Sequence, residues 1–368
     1  MSSPKFHTLK VKHIKRETVD SVSISFDIPD ELKTDYAFKQ GQSLTFRKTF
    51  NGEEIRRSYS ICSSPFEGEL RVGIKQVENG LFSTFANTEL KPNDELEVMT
   101  PIGHFYTELN PAHTKNYVAF AAGSGITPIL SIIKTTLAAE PSSTFTLVYG
   151  NKNTGSIMFL EEIEALKNSY LERFTVFHIL SRESVDVPIL NGRINRDKCK
   201  ELFDKQLIDP KNTHEIFLCG PEEMIHAVKE SLVEVGMDLK HIHFELFTTP
   251  TQTGITGNKS TTNAGHASAS TQGVAKASVS VKIDGITYQL ELPYGGDSIL
   301  DAALKTGADL PFACKGGVCC TCRAKVTKGS VSMDMNFSLE DDEVEKGYIL
   351  TCQSHPTSEE VFVDFDIK

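Results

Sequence analysis

Four cysteines near the C-terminus constrain this chain more than any other feature. Cys314, Cys319 and Cys322 read C-x4-C-x2-C, and Cys352 follows after 29 intervening residues. Three closely spaced thiolates and one distant one suit a [2Fe–2S] cluster, because the first three wrap a single loop around it. Gly316 and Gly317 let that loop's backbone approach inorganic sulfide with no side chain in the way. Zinc would want two C-x-x-C pairs or histidine partners, so the x4 arm and the lone Cys352 fit it poorly. Cys320 lies inside the loop but off the spacing and reads as a non-ligand. A cluster of this kind moves one electron at a time, so the rest of the chain must say where electrons enter and leave.

The chain has 368 residues, which suits two or three domains rather than one core. The sharpest change in composition falls at 248–277, where 20 of 30 residues are Thr, Ser, Gly or Ala and none is acidic or aromatic. Such a stretch buries too little apolar surface to fold, so it reads as a flexible tether spanning roughly 30 Å on average. It leaves a long N-terminal part and a C-terminal unit at 278–368. The N-terminal part changes character near residue 110. Before that point, Val22-Ser23-Ile24-Ser25-Phe26 and Leu70-Arg71-Val72-Gly73-Ile74 alternate at period two, with Gly41, Asn51-Gly52 and Glu67-Gly68 as turns. This predicts a small antiparallel barrel at 1–110. At 111–247 the pattern becomes strand, turn, helix: strands at 117–122, 144–149, 174–180 and 215–219, with helices after Gly125 and from Pro221 toward Gly236. Alternating strands and helices predict a parallel α/β sheet. The expected fold is therefore multidomain, α/β and α+β.

Net charge is −11, which argues against nucleic acid as a partner. No apolar run approaches the roughly 20 residues a bilayer span needs, so no membrane role is expected. The N-terminal Met1-Ser2-Ser3-Pro4-Lys5-Phe6-His7 has no apolar core of a signal peptide. Cysteines at metal spacing with no export signal point to a reducing cytoplasm. Residues 278–368 carry 15 acids against 8 bases. That excess suits either docking on a basic partner surface or plain solubility.

Three further motifs carry chemistry. In Arg57-Ser58-Tyr59-Ser60, a strand would put Arg57 and Tyr59 on one face and Ser60 on the other. Such an arginine can pair with a pyrophosphate, and such a tyrosine can stack on a flat ring. Gly80-Leu81-Phe82-Ser83-Thr84 adds a glycine turn and two hydroxyls beside a possible helix start, suited to phosphate. Gly123-Ser124-Gly125-Ile126-Thr127-Pro128 lies between a strand and a helix, where N–H groups and the helix dipole favour a phosphate. Its last position, Pro128, departs from G-x-G-x-x-G. Cys219-Gly220-Pro221 ends another strand, at the edge where α/β sheets bind ligands. Read alone, Cys219 is a buried structural cysteine, as are Cys62 and Cys199. Ser181-Arg182-Glu183 follows a strand end; Arg182 there suits a 2′-phosphate and favours NADPH, while Glu183 leaves NADH open. Arg56 reads as a solvated arginine.

On these residues, 278–368 resembles a plant-type ferredoxin domain, including Leu350-Thr351-Cys352-Gln353 around the fourth ligand. The resemblance implies a β-grasp fold. Residues 1–247 resemble the ferredoxin–NADP reductase superfamily. That resemblance implies FAD, with Arg57 on the pyrophosphate, Tyr59 on the isoalloxazine, Ser60 near flavin N5, and Ser83 and Thr84 supporting the pyrophosphate. It also implies Thr127 as a nucleotide contact and Cys219 beside the nicotinamide. The whole-chain order resembles the reductase components of multicomponent oxygenases. Among these, the segments Arg57-Ser58-Tyr59-Ser60-Ile61-Cys62-Ser63-Ser64-Pro65 and Cys314-Lys315-Gly316-Gly317-Val318-Cys319-Cys320-Thr321-Cys322 resemble the reductase subunits of phenylacetyl-CoA epoxidases. The route implied is NADPH to FAD to [2Fe–2S] to a diiron oxygenase. Reductases of Rieske and steroid 9α-hydroxylating oxygenases, a general diaphorase and a redox sensor remain as alternatives.

Overall fold

The computed structural model describes residues 4–247 and 276–367. They fall into two compact units, Lys5–Phe247 and one built on 276–367. The expected tether at 248–277 lies almost wholly outside the described residues. Among the latter, no helix is long and apolar enough to cross a membrane.

The first unit opens with β1 (Phe6–Thr18), β2 (Ser21–Asp27), β3 (Ser43–Phe50), β4 (Glu53–Ser60), β5 (Leu70–Lys75), α1 (Leu81–Thr88) and β6 (Glu95–Met99). The strands form one antiparallel sheet in the order β4-β3-β6-β1-β2-β5. A bridge between Ile61 and Val72, with the Cys62 N–H donating to the Arg71 carbonyl at 2.8 Å, ties the two edges and closes a barrel. The β3–β4 hairpin turns on Asn51-Gly52, whose φ values of 50° and 84° match the left-handed turn that residue pair favours. Val22, Ile24, Phe26, Leu44, Phe46, Val72 and Ile74 fill the interior.

The unit continues with β7 (Asn116–Ala122), α2 (Ile126–Ala139), β8 (Thr144–Asn151), α3 (Leu160–Ser169), β9 (Phe174–Leu180), α4 (Arg196–Asp204), β10 (Glu215–Cys219), α5 (Glu222–Glu234) and β11 (Ile242–Glu245). All pairings in this sheet are parallel, in the order β11-β10-β7-β8-β9. Strand order reverses between β7 and β10, so their C-terminal ends flank the crevice where open α/β sheets take ligands. Pro221 sits one residue earlier than expected, as the N-cap rather than the first helical residue of α5.

A network of charges joins barrel to sheet. Arg71 of β5 meets Glu162 of α3 at 2.6 Å, and Lys134 of α2 meets both Glu162 (2.5 Å) and Glu67 (2.8 Å). Ser131 donates to the Ser63 carbonyl at 2.7 Å. Lys134 is almost wholly buried and Arg71 largely so. Breaking a buried pair by removing one partner typically costs about 3–5 kcal/mol, so this contact holds the barrel rim at a fixed place against the crevice.

The second unit holds β12 (Lys276–Ile283), β13 (Ile286–Pro293), α6 (Ile299–Lys305), β14 (Arg323–Lys328), β15 (Val331–Met333), α7 (Asp341–Glu345), β16 (Tyr348–Leu350), β17 (Ser354–Pro356) and β18 (Glu360–Asp364). A mixed five-stranded sheet, β13-β12-β18-β14-β16, carries α6 in the β-grasp manner, with β15 and β17 paired separately. Strand β12 starts at Lys276, two residues inside the stretch read as tether. Ala277 is fully buried and continues the inward alternation of Val279 and Val281, so it belongs to the core.

Candidate functional site

At the crevice the barrel and the parallel sheet bring three residues together. Cys219 ends β10, and Glu245 is its partner in β11. Ser60 ends β4 and donates to the Glu245 carboxylate at 3.3 Å. Glu245 is partly exposed, and loss of water pushes its carboxyl up to about 8. The Cys219 thiol is pushed well above the ordinary range, first by burial and then by the Glu245 charge. Glu245 is absent from the residues expected at the site. The available signal was a single carboxylate inside the apolar run Phe244-Glu245-Leu246-Phe247.

Glycine spacing builds the floor. A Cβ on Gly125 would lie 2.0 Å from the Cys219 carbonyl oxygen, so the turn after β7 presses directly on the end of β10. A Cβ on Gly220 would come within 2.7 Å of Met224 and 3.2 Å of the Ala122 nitrogen. Gly123 adopts φ 54° with open space beside it, and the Tyr149 hydroxyl donates to its carbonyl at 2.9 Å. This is a cradle that backbone alone can offer to a phosphate. Thr127 is buried, its hydroxyl donating to the Ser124 carbonyl at 3.0 Å and its methyl facing Gly73 of the barrel. Farther along the edge, Ser181 donates to the Asn151 carbonyl. Arg182 is exposed, whereas the Glu183 carboxylate is occupied by the N–H and hydroxyl of Thr154 at 2.7 and 2.8 Å.

On the barrel, Arg57 is exposed and donates to the Arg56 carbonyl. Tyr59 shares its face and packs on Phe82 and Phe46, with ring centroids 5.7 and 5.9 Å away. Gly80 caps α1, and its missing Cβ leaves room for Ser83 Oγ, which would lie only 2.5 Å from one. Two expectations change here. Ser83 is buried, and its hydroxyl stitches the turn itself, accepting from the Val77 N–H and donating to the Gly80 carbonyl. Thr84, half-buried, accepts from Gln76 at 3.3 Å. Arg56 is not solvated: only 8% of it is exposed, Glu54 binds it at 2.8 Å, and it lies over the Phe6 ring. The opposite strand's Arg47 lies over the same ring, 4.2 Å from its centroid. Cys62 and Cys199 are buried, their thiols pushed up to about 12 and 11 by desolvation, as suits structural cysteines.

In the second unit the four cysteines form two pairs. Cys314 lies beside Cys319, and Cys322 beside Cys352. Those contacts hold Cys314 and Cys352 below the ordinary thiol range and push Cys319 and Cys322 above it. Backbone N–H groups of Gly316 and Val318 reach Cys314 Sγ at 3.3 and 3.5 Å. Gly317, at φ 76°, has no room for a side chain: a Cβ would meet the Met335 carbonyl at 2.8 Å. Among the described residues no three His, Cys, Asp or Glu side chains gather about one metal ion. Two pairs are instead what two irons with two thiolates each require. The residues fit the cluster. Cys320 turns to the Ser338 carbonyl at 3.1 Å.

Family models match the same three regions: an oxidoreductase FAD-binding domain at 8–106, an oxidoreductase NAD-binding domain at 120–230, and a 2Fe-2S iron-sulfur cluster binding domain at 281–357. The chain is 43% identical to a 1,2-phenylacetyl-CoA epoxidase component of Escherichia coli (strain K12), covering 99% of this chain and 98% of the relative. It is 32% identical to the ferredoxin reductase component of 3-ketosteroid-9-alpha-monooxygenase of Rhodococcus rhodochrous, covering 97% and 96%. The solved structure of phthalate dioxygenase reductase superposes with a TM-score of 0.56 at 20% identity, covering 98% of each chain, and so shares the fold. The chain is an oxidoreductase that carries electrons from NAD(P)H through FAD to a [2Fe–2S] centre, and it belongs to the family of the phenylacetyl-CoA epoxidase reductase subunits.

Proposed function

We propose that this chain is the reductase subunit of a phenylacetyl-CoA epoxidase, working in a reducing cytoplasm and delivering electrons from NADPH to a diiron oxygenase. One observation carries the reading: Glu245 links Ser60 of the flavin barrel to Cys219 of the nucleotide sheet. FAD held there would supply the conversion between a two-electron hydride donor and a one-electron iron–sulfur centre. Around it, Arg57 and Tyr59 would hold the pyrophosphate and the ring, with Gly80 and Thr84 beside them. Ser83 serves by shaping that turn. Gly123, Gly125, Gly220 and Pro221 would admit the nucleotide, and Thr127 supports its turn from beneath. Cys219 and Ser60 would flank the two reacting rings. Near pH 7 Glu245 keeps its proton while one of its oxygens accepts from the Ser60 hydroxyl. Cys314, Cys319, Cys322 and Cys352 would hold the cluster. The 43% identity over the full length supports the partner, and eight free thiols suit a reducing compartment.

The test is delivery. Purified protein with NADPH should support turnover of a phenylacetyl-CoA epoxidase oxygenase; failure there, with turnover of a steroid 9α-hydroxylase, would transfer the chain to the second reading that its 32% relative favours.

Nucleotide choice rests on Arg182. Thr154 holds the Glu183 carboxylate, and Arg182 is the exposed cation beside it at the end of β9. Arg182→Ala should raise the KM for NADPH about tenfold, the loss of roughly 1.4 kcal/mol, and leave that for NADH nearly unchanged. Steady-state assays with both nucleotides check this; equal effects remove the 2′-phosphate role.

Glu245 predicts a pH signature. Its folded value, about 8, lies above the ordinary carboxyl value near 4.3. A carboxyl raised on folding contributes its full stability below the unfolded value and withdraws it as pH rises toward the folded one. The urea midpoint of the wild type should therefore fall between about pH 5 and 8 relative to Glu245→Gln, which lacks that titration. Parallel curves across this window would exclude the assignment.

A further inference from the structure

The pairs that face the cluster are held by different means. Cys314 receives its N–H donors from backbone, namely Gly316 and Val318. Cys352 has the N–H of Gly317 and, in addition, a side chain: Gln353. The Gln353 amide nitrogen lies 3.0 Å from the Lys315 carbonyl, 2.9 Å from the Cys352 carbonyl and 3.7 Å from Cys352 Sγ. All three neighbours are acceptors, so the nitrogen, not the oxygen, must face them, with one of its two N–H bonds shared between two of them. Lys315 adjoins Cys314, whereas Gln353 adjoins Cys352, 38 positions away. One amide thus bridges the loop that supplies Cys314, Cys319 and Cys322 and the segment that supplies Cys352. Its stem also packs under the loop, because a Cβ on Gly317 would meet Gln353 Cγ at 3.3 Å.

We propose that Gln353 is a positioning residue for the iron–sulfur centre: its amide clasps the Cys352 segment to the Cys314 loop and donates to the Cys352 sulfur, and so makes the centre easier to reduce. Reduction adds one negative charge, spread largely over the sulfurs. An N–H dipole aimed at a ligand sulfur stabilises that added charge more than the oxidised state. The clasp has a second effect. It closes the loop over its thiolates without depending on the metal, which slows escape of iron. Backbone donors survive substitution; this one does not, so Gln353 is where the effect is separable.

This role for Gln353 rests on the four cysteines being the ligands, and the experiment separates the two. Iron is counted first: wild type should hold two irons per chain, and absence of iron would remove the ligand assignment itself. In Gln353→Leu, which keeps the bulk and loses the donor, two irons should still assemble under anaerobic reconstitution. At a fixed poise its reduced-to-oxidised ratio should fall about threefold, a shift of roughly 28 mV at 59 mV per tenfold for one electron. Bleaching by a chelator should run several-fold faster. Should Gln353→Leu fail to assemble, Gln353→Glu takes its place, since it preserves shape and replaces the donor with an anion; its ratio should fall further still. A loaded variant with the potential of wild type overturns the proposal, whatever its bleaching rate.

Discussion

Cys322→Ser should empty the second unit of iron while the first unit goes on reducing dyes from NADPH at close to the wild-type rate. Cys322 is almost wholly buried and pairs with Cys352, so a serine leaves one iron with a single thiolate and a hydroxyl of poor affinity. Its core neighbours in the second unit, Leu350, Ala324 and Leu300 among them, are fully or almost fully buried in a cluster separate from the core at the crevice. The flavin barrel and nucleotide sheet therefore lose nothing. Delivery to an oxygenase should drop to background, since that step needs a one-electron relay. Iron analysis, a dye assay and oxygenase turnover on one sample test the whole statement. Loss of dye reduction in protein that keeps its FAD and its circular dichroism would show that the route is not modular.

Gly125→Ala should be nearly as severe at the other end of the chain. The new methyl would sit 2.0 Å from the Cys219 carbonyl oxygen and 2.4 Å from its carbon. Both belong to backbone inside a parallel sheet, so neither can rotate away, and the turn must lift off β10. A displacement of about 1 Å at a reacting centre costs on the order of 100-fold in rate. NADPH-driven dye reduction should fall by about that factor while FAD content stays at wild type, because the barrel contacts are untouched. Gly236→Ala, after α5 and outside the site, is the internal control. Its methyl meets nothing within 4 Å and suffers only the left-handed φ, about 1–2 kcal/mol. Equal losses in the two variants would mean that backbone strain, not the approach to Cys219, governs the site.

Much of the architecture was legible because its signals are local. Period-two alternation marked the barrel strands, and Asn51-Gly52 marked a hairpin. Strands 174–180 and 215–219 stand where apolar runs placed them. Cysteine spacing is likewise local for three of four ligands. What escaped was long-range. The Ser60–Glu245 contact joins residues 185 positions apart, and no periodicity encodes it. Arg71, Lys134 and Glu162 each look like ordinary surface charges in sequence; only folding buries them against one another. Arg56 was misread because the Phe6 ring it lies over belongs to β1, a strand brought near the β3–β4 hairpin only when the sheet assembles. Ser83 carried the right residue type for a phosphate, yet the turn it belongs to consumes both its hydrogen-bonding roles.

The separate hydrophobic interiors of the two units have a consequence for how such a chain changes over generations. Each interior tolerates or rejects a substitution on its own terms, so a lesion beneath the iron leaves the coenzyme-bearing half intact for selection to act on. Electron carriers assembled this way can exchange their outlet for another without renegotiating the inlet.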